Sequence, residues 1–292
     1  ANNADEMRRL NDGATNRQGP DSGVWYADSY AQAYPDRFQP DWESGKAPSQ
    51  FDKQGWYTFR LKPGASATAA INAFFQGLTI CECFSATIAI QYRSVLREIG
   101  SERFDRSFGG SSRPVPRPML IEPQLSGDNP MSSLLTYTDA ARAGDAGTEG
   151  ERPVKQGEWY YFTNHPKYLL KHPTGAWQGE NAMFMGKSPR GEQLWQGFGT
   201  QAITEREMLA EMAGAYNGDR SAADLADIEQ RRQRGEDVSP FRIDEVKLKS
   251  QTTPEEILAH PAYTSPIDGH TRKGGFLASV GQRLDADRVA AL

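Results

Sequence analysis

Two cysteines stand two residues apart in this chain of 292 residues, with a carboxylate between them: Cys81, Glu82 and Cys83. Apolar residues recur at three- and four-residue steps from Phe84 to Ile99, a pattern that predicts a helix with one buried face. The N-terminus of a helix has unpaired N–H groups and the positive end of the helix dipole, so we expect the pKa of a cysteine there to be lowered. Cys83 is therefore a candidate nucleophile. The alternative is that both cysteines are small buried hydrophobic residues.

A nucleophilic cysteine needs a partner that raises its thiolate population and shuttles protons, and that partner is usually a histidine. The chain has four histidines, and none lies within a strong strand pattern. His165 and His172 precede the predicted strand that follows Trp177, and the other two belong to a loop-rich tail. The ionisable residue at the entrance of that strand is Glu180. It is a candidate base, and a carboxylate that caps or pairs at a strand end is the alternative.

The elements that must position these residues follow from local patterns. Ser66 caps a predicted helix that Gly77 stops, and the cysteine helix is expected to end near Gly100. Strands are predicted over Trp56–Leu61, over Trp159–Phe162, which we expect to be core, and over Met183–Met185 and Gln193–Gly199, paired as a hairpin across residues 188–191. Capping signals are Thr204 with Glu207, Ser221 with Asp224, and Thr253 with Pro254. Helices, then a strand-rich middle, then helices again indicate one α+β domain.

Composition divides the chain into three parts. Residues 1–60 are rich in Asn, Asp, Gln, Gly and Pro and read as an irregular N-terminal extension anchored by scattered aromatic residues. Residues 61–216 contain the predicted catalytic core. Residues 217–292 read as a helical and loop-rich C-terminal extension, with a loop-rich stretch from 261 and a weak final helix from Asp285.

Charge and hydropathy limit the partners. The net charge is −5, without a basic surface that would indicate nucleic acid, and no apolar run approaches the length of a membrane-spanning helix. Cys81 and Cys83 are too close in sequence for a good disulfide, so we expect free thiols. The first residues do not read as a signal peptide, although removal of a leader before Ala1 is compatible with them. The sequence is compatible with two locations, the cytoplasm and delivery out of the cell as a secreted effector.

Two blocks of the chain resemble the spore-type bacterial transglutaminases of bacilli. The first is Glu82-Cys83 and its apolar helix, followed by Ile99-Gly100-x-x-x-Phe104-x-x-Ser107-Phe108. The second is Gly157-x-x-Tyr160-x-Phe162-x-Asn164, then Trp177-x-Gly179-Glu180-Asn181 and Gly186. The order and rough spacing of the blocks agree with that family over residues 70–108 and 155–200.

The resemblance implies a role for each matched residue. Cys83 matches the nucleophile, Glu180 the general base and Glu82 an auxiliary carboxylate, while Trp177 and Asn181 would shape or hydrogen-bond the site. The implied reaction transfers the γ-glutamyl group of a protein glutamine through a Cys83 thioester to a lysine amine, with release of ammonia. Protein substrates with Gln and Lys are the implied partners, and neither a metal nor a cofactor is implied.

The implied fold is a papain-like or NlpC/P60-like core, in which the cysteine-bearing helix packs on an antiparallel sheet. The chain departs from the family pattern at Gln196-Gly197-Phe198-Gly199, where the family has a histidine before Gly-x-Gly. His165 and His172 are candidates to replace that histidine, and Cys81 has no counterpart. Two other functions stay open: a glutamine deamidase or amidase acting as a toxin or effector, and a non-catalytic structural or interaction protein.

Overall fold

A computed structural model describes residues 3–15, 23–26, 51–54, 58–109, 118–143, 150–242 and 251–292. The helices are α1 (Asn3–Thr15), α2 (Ala67–Gln76), α3 (Cys83–Phe108), α4 (Asp139–Ala143), α5 (Tyr168–Lys171), α6 (Glu205–Asn217), α7 (Ala222–Gln233), α8 (Pro254–Ala259) and α9 (Ala286–Ala290). The strands are β1 (Val24–Tyr26), β2 (Phe51–Gln54), β3 (Thr58–Leu61), β4 (Thr79–Cys81), β5 (Leu120–Ile121), β6 (Leu135–Tyr137), β7 (Trp159–Thr163), β8 (Gly179–Lys187), β9 (Gln193–Gln196), β10 (Ile203–Thr204), β11 (Tyr263–Thr264), β12 (Thr271–Arg272) and β13 (Gly275–Leu284).

A six-stranded antiparallel sheet forms the centre of the fold, in the order β10-β9-β8-β7-β13-β6. Its middle pair is β7 and β8, in which Tyr161 lies opposite Asn181 and Phe162 lies opposite Glu180. Smaller sheets flank it: β2-β3-β5, the parallel pair β1-β4 and the hairpin β11-β12. The predicted hairpin across residues 188–191 is confirmed as β8 and β9.

Helices cover both faces of the central sheet. Side chains alternate between the faces along each strand, so each face contributes apolar residues to a separate core. Trp159, Met183 and Met185 face one core with residues of α1, α2 and α3. Tyr160 and Phe162 face the other core, together with Met208, Leu209 and Met212 of α6 and Ile257 of α8. The predicted α+β class, with the cysteine helix packed on an antiparallel sheet, is confirmed.

Helix α3 begins at Cys83, as the apolar pattern predicts. Glu82 is its N-cap, and its carboxylate accepts hydrogen bonds from the backbone N–H groups of Phe84 and Ser85. The expected end near Gly100 is instead a kink: Gly100 has a φ of 76°, a left-handed conformation that glycine adopts without a Cβ clash. The chain then resumes its helix as far as Phe108, so the second half of the segment packs in the core as well.

The described part of residues 1–60 contains a helix and two strands, where composition favoured irregular structure. Helix α1 buries Ala4, Met7 and Leu10 against the core, at three-residue steps. Its Glu6 is fully buried and pairs with Arg93 at 2.9 Å and Arg97 at 2.8 Å, both on α3. These contacts come from a helix some 90 residues away, so composition within the segment could not reveal them.

The C-terminal stretch from residue 261, predicted to be loop-rich, supplies a strand of the central sheet. Strand β13 pairs with β7 on one side and with β6 on the other. Its register shifts between Leu277 and Gln282, a bulge that interrupts the alternation of apolar and polar residues. That irregularity explains why the strand has no clear period of two. The final helix is confirmed as α9.

The predicted caps are confirmed. Ser66 caps α2 by accepting from Ala69 N–H at 3.0 Å, and capping boxes begin α6 at Thr204, α7 at Ser221 and α8 at Thr253. The predicted strand over residues 56–61 is confirmed as β3 from Thr58, and its first two residues lie outside the described part. Among the described helices, none combines the length and apolarity needed to cross a membrane.

Candidate active site

Cys83 is the first residue of α3 and is partly exposed. Its sulfur lies 3.7 Å from Glu82 Oε2, to which the thiol donates a hydrogen bond. The same carboxylate caps the helix through Phe84 N–H and Ser85 N–H, so its position is fixed by the start of the helix. A carboxylate held in this way is suited to receive the thiol proton.

Asn181 on β8 is the second hydrogen-bond partner of the thiol. Its side-chain Nδ2 donates to Cys83 Sγ at 3.1 Å across the boundary between sheet and helix. Its Oδ1 accepts a hydrogen bond from Trp159 Nε1 at 3.1 Å, one strand further along the sheet. Asn181 is therefore held from both ends of its carboxamide.

Glu180 precedes Asn181 on β8, where it lies opposite Phe162 of β7, and its side chain is buried. Its Oε1 accepts a hydrogen bond from Phe198 N–H at 3.2 Å. The carboxyl group lies over Gly197, where any Cβ would collide with it. No hydrogen bond joins Glu180 to Cys83 in the described part of the chain, so the two groups interact through charge.

The charges of this site are closely coupled. Burial, followed by the negative charges of Glu180 and Glu82, raises the pKa of the Cys83 thiol well above its ordinary value, while the hydrogen bonds from Asn181 oppose that rise. The lowered pKa expected from the helix terminus is therefore wrong, because desolvation and two carboxylates outweigh the dipole. Burial also raises the pKa of Glu180 to about 8 and, less strongly, the pKa of Glu82. Cys83 therefore rests as a neutral thiol, beside the carboxyl group of Glu82 and within electrostatic reach of Glu180.

Cys83 opens into a cleft of about 720 Å³. Its walls come from α3, β7, β8, β13 and the loops around residues 124 and 176, and its described lining residues include Tyr26, Phe84, Leu125, Trp159, Tyr161 and Val280. Glu82 is the charged residue among the described lining residues. Uncharged polar residues, among them Gln124, Gln178 and Gln282, complete the lining, so the cleft offers an uncharged aromatic and polar surface with a carboxylate beside the sulfur.

The two predicted histidines lie away from the sulfur. The ring nitrogens of His172 are 3.4 Å from Asp224 Oδ2 and 3.1 Å from the Tyr216 carbonyl oxygen, so both are occupied. His165 stacks on Tyr216 with ring centroids 4.3 Å apart, and burial lowers its pKa to about 4. Neither histidine is among the described residues that line the cleft.

Trp177 is also absent from the described lining of the cleft. Its carbonyl oxygen accepts a hydrogen bond from Asn164 Nδ2 at 2.7 Å, and its ring packs against the core on the α6 side of the sheet. The structure thus brings together Cys83, Glu82 and Asn181, and places Glu180 within electrostatic reach.

Several cleft residues carried no signal in the sequence. Trp159 is a core residue, as expected, and also lines the cleft, while Tyr161 lines the cleft on the same face, which carries Asn181. The alternation of β7 and β8 is the pattern that identifies them. Val280 and Gln282 line the cleft from β13, a strand that the local sequence pattern did not predict.

Cys81 is buried at the end of β4, next to the cysteine helix but within the core. Among the described residues, no three His, Cys, Asp or Glu side chains converge in a way that would hold a metal ion. The groups that act on the Cys83 thiol are instead the carboxyl groups of Glu82 and Glu180 and the carboxamide of Asn181.

A thiol beside carboxyl groups, in a cleft suited to an uncharged side chain, has the components for acyl transfer from an amide. The family model described as protein-glutamine gamma-glutamyltransferase matches residues 42–234, which contain Glu82, Cys83, Glu180 and Asn181. No curated protein matches the sequence. Because the family match covers about two thirds of the 292 residues, the chain belongs to the protein-glutamine gamma-glutamyltransferase family and is a transglutaminase.

Proposed function

We propose that Cys83 is the nucleophile of this transglutaminase and that Glu82 and Glu180 handle the protons of the reaction. The observation that carries the proposal is the position of the Cys83 sulfur: partly exposed in a cleft, 3.7 Å from Glu82 Oε2 and 3.1 Å from Asn181 Nδ2. A weak nucleophile with an adjacent base and an orienting donor is the arrangement that covalent catalysis requires. We also propose that, within the family, this chain is similar in its motifs to the bacterial spore-type enzymes.

In the first half-reaction, the Cys83 sulfur attacks the carboxamide carbon of a glutamine side chain while its proton passes to Glu82. The tetrahedral intermediate collapses as the carbon–nitrogen bond breaks and the nitrogen takes up the proton. Ammonia leaves, and a γ-glutamyl thioester remains on Cys83. The raised pKa of the thiol means that this proton transfer accompanies attack rather than preceding it.

In the second half-reaction, the neutral ε-amine of a lysine attacks the thioester carbon. Glu180 receives the proton that the nitrogen loses, the carbon–sulfur bond breaks, and Glu180 returns that proton to the sulfur. The products are an isopeptide bond and the free Cys83 thiol. A pKa of about 8 for Glu180 supports this role, because a group that titrates near the working pH both accepts and returns a proton.

The proposed substrates are proteins that carry accessible Gln and Lys side chains. The uncharged walls of the cleft suit the uncharged glutamine and its flanking residues, and the site carboxylates attract a cationic lysine. If water replaces the amine, the same thioester yields glutamate. Deamidation, including deamidation by a secreted effector, is thus an outcome of the same chemistry rather than of a different site.

The test is incorporation of a fluorescent primary amine into casein, with ammonia release measured in parallel. We expect incorporation by the wild-type protein and loss of both signals in Cys83→Ala. Cys81→Ala is the matched control, because it removes the neighbouring thiol from the core and should retain activity. Ammonia release without amine incorporation would assign the protein to deamidation. Full activity in Cys83→Ala would overturn the proposed nucleophile.

A further inference from the structure

The carboxamide that contacts the proposed nucleophile is itself held by a tryptophan. Trp159 Nε1 donates to Asn181 Oδ1 at 3.1 Å, and Asn181 Nδ2 donates to Cys83 Sγ at 3.1 Å. Trp159 and Asn181 are both buried and lie on the same face of the neighbouring strands β7 and β8. The three residues form a continuous chain from the sheet to the sulfur.

The indole N–H selects one of the two orientations of the Asn181 carboxamide. An indole nitrogen is a donor only, so it pairs with the carbonyl oxygen and not with the NH₂ group. In the flipped orientation the NH₂ group would face the indole N–H, and the carbonyl oxygen would face the sulfur. The contact with the indole would then pair two donors, and the contact with the sulfur would place an acceptor against a developing thiolate. Both contacts are unfavourable.

The tryptophan is in turn fixed by its neighbours. The Phe84 ring meets the Trp159 ring edge-on, with centroids 4.8 Å apart and an interplanar angle of 76°. Phe84 directly follows Cys83 in α3, so this contact ties the indole to the same helical turn as the sulfur. The position of the donor relative to the sulfur is therefore set by packing rather than by a mobile side chain.

We propose that Trp159 is a positioning residue of the reaction: its indole N–H holds the Asn181 carboxamide with the NH₂ group on the Cys83 sulfur. This inference rests on the proposed role of Cys83 as nucleophile. The carboxyl groups of Glu82 and Glu180 also act on the sulfur, and both oppose its ionisation. Asn181 is the group that favours it, so the orientation of one amide decides how readily the thiolate forms.

The test measures the thiol directly rather than turnover. The rate of Cys83 alkylation by iodoacetamide is followed against pH by peptide mapping, which separates Cys83 from Cys81. Trp159→Phe keeps a ring against Phe84 and removes the N–H. We expect its alkylation rate at pH 7.5 to fall about three- to tenfold, the scale of one lost hydrogen bond between neutral groups, and kcat to fall more than KM changes.

A double-mutant cycle separates positioning from structural effects. In an Asn181→Ala background, Trp159→Phe should cause no further fall in the alkylation rate, because the carboxamide through which it acts is gone. Trp195→Phe is the matched control on β9: its indole nitrogen has no hydrogen-bond partner within the described structure, so the same change should lower the melting temperature without altering the Cys83 titration.

If Trp159→Phe does not fold, replacement of Trp159 by benzothienylalanine removes the N–H from a ring of nearly the same shape. An unchanged Cys83 titration in either variant would overturn the inference, as would an equal fall in the Asn181→Ala background. The proposed nucleophile fails by a different result, namely amine incorporation by Cys83→Ala, so the two failures are distinguishable.

Discussion

Glu82 serves both the start of helix α3 and the thiol of Cys83. Its Oε2 lies 3.7 Å from the sulfur and accepts from Phe84 N–H at 2.8 Å, and its other oxygen accepts from Ser85 N–H. The cap holds the carboxylate in place while leaving it beside the nucleophile. One residue therefore couples the folding of the helix to the chemistry proposed at its first position.

Glu82→Gln should separate these two duties. A glutamine oxygen still accepts a cap hydrogen bond, so we expect the free energy of unfolding to fall by no more than the loss from a weakened cap, about 1 kcal/mol. The base is lost, and we expect amine incorporation to fall roughly 10²-fold or more. The Cys83 alkylation pKa should also fall, because a negative charge beside the thiol is removed. A variant with full activity would show that Glu82 is only a cap.

The pH dependence of activity should report Glu180. Below a pKa of about 8 this carboxyl group is protonated and unable to accept a proton, so kcat/KM is expected to decline as the pH falls through that value. Glu180→Gln should lower the activity and remove this limb of the profile. A limb that persists unchanged in the variant would assign it to another group, with the Cys83 thiol as the first candidate.

Glu180 should also affect stability, which we expect to fall as the pH rises, whereas activity is expected to increase. Folding raises the pKa of Glu180 from near 4.5 to about 8, so the folded state holds the proton more tightly across that interval. Stability is therefore lost as the pH rises through about 8, with each pKa unit worth roughly 1.4 kcal/mol. We expect Glu180→Gln to raise the melting temperature relative to wild type more at pH 9 than at pH 5. An equal difference at both pH values would contradict the buried, protonated state.

Helix α1 should influence Glu180 through the loop that holds it. Asn11 donates to the Gly197 carbonyl oxygen at 3.0 Å and accepts from Gly199 N–H at 2.7 Å, on either side of the Phe198 N–H that binds Glu180. We expect Asn11→Ala to lower kcat several-fold and to shift the acidic limb of the profile, which we assign to Glu180, because the Phe198 donor is no longer fixed.

Asn3→Ala provides the control for the Asn11 variant. Asn3 lies on the same helix, is equally buried and contacts Gln91 and Gly157, which are not part of the loop. Removal of the Asn3 carboxamide should weaken the packing of α1 without shifting the pH dependence of activity. Identical profiles for Asn11→Ala and wild type would show that the loop holds Glu180 without the helix.

Features encoded by neighbouring residues could be predicted from the sequence. The period of the apolar residues predicted helix α3 and its start at Cys83, side-chain oxygens three residues from an acid predicted the capped helices, and the polar turn at residues 188–191 predicted the β8–β9 hairpin. The short motifs around Cys83 and Glu180 were sufficient to select the two candidate residues among many charged and polar ones. Each of these signals depends on interactions within a few residues or on a contiguous motif.

What only the tertiary structure decided depends on register and packing between distant segments. The pairing of β7 with β8 places Asn181 on Cys83, 98 residues away, while the candidate histidines His165 and His172 contact Tyr216 of α6. The bulged strand β13 and the helix α1 are stable because their partners lie elsewhere in the chain. The resting state of the thiol is decided in the same way: the helix dipole is a local property, whereas the burial and the carboxylates that overcome it are brought by the fold.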